Sequence, residues 1–372
     1  MNALAMPVPP AVPDRTQTLD DVERCLADRL EALGVEWRRD CETEDAVLGA
    51  TDVPELLTRL VQSGGKRFRP LLCHWGWVAV GGARRPGPTG DSHADLVTLG
   101  AALELLHAFA LAQDDVMDRS RTRRGQSALH VVAATRHREV AGRDDADRYG
   151  DSIAVLAGDL GHAEADAMVA DLPRAVRTLW RRTCVELVRG QARDLGEAAR
   201  GGGEQALRRA LEVARAKSGA YTIQRPLELG ATVGGASGEA LAPLSLYGRL
   251  LGEAFALRDD LLGVWGHPEQ TGKPVGDDLR LGKSTVVLAL AEQRLGGPDA
   301  RAVARIRRQQ HDESDVGGVA DAMVREGVRD EVESMVEART RAAVAALDDD
   351  RLTDEGVAGL TEVADQVAWR TW

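Results

Sequence analysis

Apolar residues recur at helical spacing along nearly the whole chain, and the alternation that a half-buried strand needs persists nowhere. Leu19, Val22, Leu26, Leu30 and Leu33 mark a first amphipathic helix over 18–33. A second runs from Val53 to Ser63 and stops at Gly64 and Gly65, and an apolar segment follows from Leu71 to Val80. Pro70 suits the start of that third helix, where its missing N–H leaves no hydrogen bond unmade. The longest apolar run begins at Leu96 and ends in acids, Asp114, Asp115 and Asp118. Further helices are predicted over 151–170, 174–199, 204–229, 241–262, 286–294, 301–309, 316–327, 330–347 and 354–369. Glycine- or charge-rich stretches at 81–93, 137–150 and 267–285 read as loops. The expectation is an all-α fold, a single large helical bundle over 18–372 preceded by a flexible tail over 1–17.

Composition supports helix over sheet, since alanine, leucine, arginine and glutamate dominate while only three Phe and three Tyr occur in 372 residues. The net charge of -12 excludes broad nucleic-acid binding, so basic residues matter only as local clusters. Cys25, Cys41, Cys73 and Cys184 are scattered without CxxC spacing and read as reduced core thiols rather than zinc ligands or disulfides. Glu104 and His107 interrupt the best apolar run, so no stable membrane insertion is expected, and the N-terminus lacks a signal-peptide pattern. A cytoplasmic protein follows as the expectation.

Candidate chemistry sits where apolar helices end. Asp114 and Asp118 share a helix face with Asp115 beside them, and Arg119, Arg121, Arg123 and Arg124 follow closely. Carboxylates so crowded repel one another unless cations lie among them, and hard divalent ions favour oxygen ligands and phosphates. The alternative is a solvated helix end with local ion pairs. A second apolar helix ends in Arg258, Asp259 and Asp260, ahead of a loop carrying Lys273, Asp277, Asp278 and Lys283. Two acid-tipped helices predict a metal–diphosphate mouth above a deep apolar cavity. Lys66, Arg67 and Arg69 follow two glycines at a helix start, which suits either an anion site or a solvated basic turn. Asp144, Asp145 and Asp147, and the run 348–350, are acidic without apolar helices behind them and read as solvated charge. Asp159 reads as a buried acid paired with an arginine, and Trp75, Trp77 and Trp265 as packing residues.

With these motifs in place, the chain resembles the trans-isoprenyl diphosphate synthases of the polyprenyl synthetase family, geranylgeranyl diphosphate synthases among them. GGKRFRP, DDVMD with TRRG, KSGAYT, and RDDLLGVWG with TGKPVGDDLRLGK match the family's motifs in order, from about Val53 to Thr285. The resemblance implies the type I isoprenoid synthase fold and Mg2+, three ions per site, with Mn2+ as the alternative ion. It implies that Asp114, Asp115 and Asp118 hold two ions and that Asp259 and Asp260 hold the third. Arg123, Lys217 and Lys273 would contact the allylic diphosphate, and Lys66, Arg69, His107 and Arg124 that of isopentenyl diphosphate. Ser218 and Tyr221 would lie near the reacting carbons, Gln191 and Asp194 would line the cavity, and Lys283 would close over the diphosphates. A homodimer is implied in the same way.

Three positions depart from the family pattern. Gly263 stands where many members carry the last Asp of the second motif, Ala256 where glutamine is frequent, and His267 where aspartate is frequent. Phe109 precedes Asp114 by about 7.5 Å along the helix. There its ring would obstruct a growing tail, with Ala110 beside it and Leu106 a turn lower; the alternative is that Phe109 packs sideways and another helix sets the length. By resemblance this pattern implies geranylgeranyl diphosphate (C20) as product, with farnesyl diphosphate (C15) as the alternative. A terpene cyclase-like enzyme and a non-catalytic partner subunit of a synthase are the competing readings. Lys66, Arg69 and Arg124 speak against the first, because a cyclase needs no second diphosphate site.

Overall fold

Helix boundaries fall where the sequence supplies a cap. The computed structural model describes residues 13–40, 43–82, 91–140, 142–200, 203, 205–267 and 274–369. Helix α1 spans Arg15–Asp40, beginning before the expected position 18 because Asp14 accepts from the Gln17 N–H at 2.8 Å. Asp52 accepts from the Glu55 N–H at 3.0 Å and starts α2, Val53–Gln62. Helix α3 covers Phe68–Ala79, and Asp91 caps α4, Ser92–Met117. Helix α5 is Leu129–Glu139. Helix α6, Ala146–Val169, starts inside the stretch read as a loop, because Asp145 caps it by accepting from Asp147 and Arg148. One of the apparently spare acids is thus a cap, and Asp147 pairs with Arg138. Helix α7 is Arg174–Arg200.

The run expected as one helix over 204–229 is three segments: α8 (Ala206–Val213), a π-helical stretch (Ala214–Gln224) and α9 (Arg225–Val233). Helix α10, Ala242–Trp265, follows, then a single turn at Asp277–Arg280. Four further helices, Val286–Arg294, Gly297–Arg307, Glu313–Arg325 and Val328–Ala345, precede the last, Asp354–Ala368. Among the described residues the only strands are a two-residue ladder, Thr122–Arg123 against Gln126–Ser127.

Helix α4 is the axis of the bundle. Leu96, Leu99, Leu103, Leu105 and Leu106 are fully buried on it, each contributing about 1.5–3 kcal/mol by leaving water. It packs on α6, α3 and α1, while α10 packs on the π segment and on Val328–Ala345. By length and composition alone α4 could cross a membrane, despite Glu104 and His107. Yet 72% of its most apolar window is buried, which makes it a core helix here. Trp75 and Trp77 are core mass as expected. Asp159 differs from expectation: it is exposed and accepts from Gln113 Nε2 at 3.0 Å rather than from an arginine. In the run 348–350, Asp349 pairs with Arg351, which holds its carboxyl down at about 2.

Candidate active site

The acids that end α4 are divided between two tasks. Asp114 accepts from Lys217 Nζ and from Gln191 Nε2, each at 3.0 Å. Burial acts to raise its carboxyl, but Lys217, Lys283 and Arg123 outweigh burial and leave it below its ordinary value. Asp118, which caps the helix, meets Lys283 Nζ at 2.8 Å. Asp115 instead turns inward, buried at 2% exposure, and is gripped by Arg123 through Nε at 3.0 Å and through Nη2. Burial pushes the Asp115 carboxyl up, with Arg123 opposing.

Arg123 and Arg124 are delivered by the short β-ladder. Its turn residues, Arg124 and Gly125, both have positive φ (52° and 73°), as tight hairpins prefer. Arg124 thereby reaches back to Ser63 Oγ at 3.3 Å and to the Gly64 carbonyl. A Cβ on Gly65 would meet the Arg124 guanidinium at 2.9 Å, so the glycine before the basic turn is what lets the two segments touch. Within that turn Arg67 is structural. It takes a left-handed conformation (φ 49°) and binds Glu104 at 2.7 Å, the Val61 carbonyl at 3.0 Å and Glu23. Lys66 and Arg69 point to the cavity. Arg69 donates to Thr222 Oγ1 at 3.1 Å and lies 4.5 Å over the Tyr221 ring. His107 faces the same cluster. Burial, then Arg69, Arg124 and Arg123, push its pKa well down, so the imidazole is neutral at pH 7.

The π-helical stretch carries Lys217, Ser218 and Tyr221, and such stretches are frequent at functional sites. Gly219 and Gly252 meet backbone to backbone, so either Cβ would fall 2.6 Å from the other's carbonyl oxygen. That approach seats the segment tightly on α10. Lys217 bridges helices, with Asp194 Oδ2 of α7 at 2.6 Å and Asp114 of α4 at 3.0 Å. The Tyr221 hydroxyl is buried without a hydrogen-bond partner.

Across the cavity, α10 presents Asp259 and Asp260. Asp260 accepts the Val286 N–H at 2.8 Å. Burial chiefly, then Asp278, Asp259 and Asp194, push its carboxyl well up, the signature of acids crowded in one place. Asp278 is a site residue that the motif reading left unassigned. Its carboxylate fills the space into which a side chain on Gly263 would project, and Lys283 Nζ stands 3.9 Å from it. The signal was present as an adjacent departure, a glycine in the second acid motif followed by an extra acid pair in the loop. Asp114, Asp118, Asp259, Asp260 and Asp278 make an all-oxygen donor set, held together by lysines standing where cations belong. That chemistry fits Mg2+.

One cavity of about 580 Å³ joins these parts. Lys66, Arg69, His107, Ala110, Asp114, Arg123, Arg124, Gln191, Asp194, Lys217, Ser218, Tyr221, Asp259, Asp260 and Lys283 all line it. Asp115, Asp118, Leu106 and Phe109 are not among its lining residues. Leu106 is wholly buried beneath, and Phe109 stacks on His162 of α6, ring centroids 4.7 Å apart. Ala256 is buried in α10, away from the lining. Lys273 lies outside the described residues.

Comparison with known proteins gives one answer. The family model described as polyprenyl synthetase matches residues 51–323. The geranylfarnesyl diphosphate synthase of Aeropyrum pernix is 33% identical over 302 residues, covering 78% of this chain and 84% of that protein. The nonaprenyl diphosphate synthase of Mycobacterium tuberculosis is 31% identical over 301 residues, covering 80% of each. Among solved structures, the geranylgeranyl pyrophosphate synthase of Corynebacterium glutamicum, complexed with isoprenyl diphosphate and magnesium, superposes with TM-score 0.84. It is 34% identical and covers 95% of this chain and 99% of its own.

Proposed function

The chain belongs to the polyprenyl synthetase family and is a trans-prenyl diphosphate synthase, and from that premise we propose how its own residues perform the condensation and what it makes. It joins isopentenyl diphosphate to an allylic diphosphate, with geranylgeranyl diphosphate as the main product. The observation that carries the reading is the pairing of the acids at the mouth with lysines from opposite walls. Lys217 sits on Asp114 and Asp194, and Lys283 on Asp118, so positive charge is already focused where a diphosphate must lodge.

Bound Mg2+ supplies Lewis-acid neutralisation of the leaving diphosphate. Asp114 and Asp118 would hold two ions, and Asp259 and Asp260, with Asp278, the third. Asp115 acts through Arg123, which it aims at the allylic diphosphate beside Lys217 and Lys273. Lys66, Arg69, Arg124 and neutral His107 hold the diphosphate of isopentenyl diphosphate on the other side. The allylic C–O bond breaks as these groups take up the developing charge. The Ser218 and Tyr221 oxygens face the resulting delocalised cation, and the isopentenyl double bond attacks it. The proton then lost from the new chain passes to the departing diphosphate, leaving a trans alkene. Lys283, tied to Asp118, draws its loop over the mouth and excludes water that would quench the cation.

The tail runs past Ala110, Leu111 and Leu187, which line the cavity, and the likeness to the Corynebacterium geranylgeranyl synthase supports the C20 product. A homodimer in the cytoplasm is part of the proposal by family resemblance alone. Incubation with Mg2+, isopentenyl diphosphate and each allylic diphosphate in turn, with products sized by chromatography, tests the reading. A C20 diphosphate is expected. Cyclic hydrocarbon formed without isopentenyl diphosphate would mean a cyclase, and binding without elongation would mean a partner subunit.

A further inference from the structure

Helices α6 and α7 bring together three ligand-type side chains outside the diphosphate cavity. His162 and Asp166 stand one turn apart on α6 and share a face, His162 Nε2 lying 3.9 Å from Asp166 Oδ2. Cys184 of α7 faces them, and one ligand atom from each of the three lies within 4.8 Å of the others. Trp180, one turn before Cys184, donates its Nε1–H to Asp166 Oδ1 at 2.6 Å, which fixes the carboxylate while Oδ2 faces His162. Phe109 stacks on the imidazole at an interplanar angle of 24° and holds the ring's plane. His162 Nε2 is buried yet has no hydrogen-bond partner. A buried polar group left in that state is destabilising, so the arrangement calls for something to bind there.

We propose that His162, Asp166 and Cys184 form a second metal site that takes one Zn2+, or a similarly borderline-soft divalent ion, with water as fourth ligand. One imidazole, one carboxylate and one thiolate suit such an ion, whereas Mg2+ is drawn to the all-oxygen set at the cavity mouth. Ligands about 2.0–2.3 Å from a tetrahedral ion are roughly 3.3–3.8 Å from one another, which small side-chain rotations reach from the present arrangement. The Asp166 and His162 side chains are 57% and 31% exposed, so the ion has an entry path and the water has room. Zinc takes Cys184 as the thiolate, so binding releases its proton to solvent. Sequence spacing concealed this set, because Cys184 joins the helix pair only through packing of α6 on α7.

The test uses full-length protein freed of metal by chelation, then held in excess Mg2+ and titrated with Co2+. One equivalent should give a near-ultraviolet thiolate-to-cobalt charge-transfer band, which Zn2+ then removes. The band should vanish in Cys184→Ser, survive in Asp114→Ala, and need about tenfold more Co2+ in His162→Ala. In the wild-type chain the same ion should slow alkylation of Cys184 by iodoacetamide, read by mass spectrometry. Absence of the band from wild type, its persistence in Cys184→Ser, or alkylation unaffected by the metal would each overturn the proposal.

Discussion

The Asp278 carboxylate lies in the space that a side chain on Gly263 would occupy, so the loop after α10 returns an acid to the helix position that lacks one. Lys283 then spans from Asp278 to Asp118, linking the loop after α10 to the end of α4. Asp278→Ala should raise the Mg2+ concentration for half-maximal activity about tenfold. Gly263→Ala should do likewise, because its Cβ displaces Asp278. Pairing Gly263→Asp with Asp278→Gly should recover part of the loss, as Mg2+ titrations of rate and of diphosphate binding would reveal.

Lys217 is the cation shared by α4 and α7 through Asp114 and Asp194. Lys217→Ala removes positive charge that faces the leaving diphosphate, so kcat should fall about a hundredfold with a smaller change in KM. Steady-state kinetics would check this, with near-equal falls in Lys217→Ala and Lys217→Arg indicating that geometry as well as charge matters.

The tail's path is tested at two adjacent positions. Ala110 lines the cavity, whereas Phe109 is turned onto His162. Ala110→Phe should shorten the product by an isoprene unit. Phe109→Ala should alter product length less, as measured by chromatography after exhaustive elongation.

Much of this was legible in the chain because its signals are local. An apolar run closed by acids at i and i+4 defines a face, and capping residues such as Asp52 and Asp91 mark starts that the structure keeps. What was hidden depends on packing. Spacing cannot say that Asp115 is gripped by Arg123 while Asp114 pairs chiefly with Lys217 and Asp118 with Lys283. A two-residue ladder is too short to alternate, and π and α turns differ too little in period to separate Ala214–Gln224 from its flanks. Phe109 was read as an obstruction from its distance along the helix, yet its direction is set by His162, which is distant in sequence.

Acid should destabilise the fold through His74. It is buried and bonded to Thr18 Oγ1 at 3.0 Å, and burial, with His93 nearby, lowers its pKa from 6.5 to about 4. The native state holds the neutral ring. Its stabilising contribution is therefore complete above pH 6.5 and lost as pH falls toward 4, about 3 kcal/mol in all. Chemical denaturation across that range should show the decline, and His74→Gln should flatten it.

The central claim is that the lysine-paired acids of α4 ionise an allylic diphosphate so that isopentenyl diphosphate can capture it. A single turnover with enzyme in excess, labelled farnesyl diphosphate, isopentenyl diphosphate and Mg2+ tests it most directly. The wild-type chain should convert the label to one longer prenyl diphosphate, with Asp114→Ala slower by about a hundredfold or more. Label recovered as unchanged starter or as farnesol, from a wild-type chain that binds both diphosphates, would contradict it.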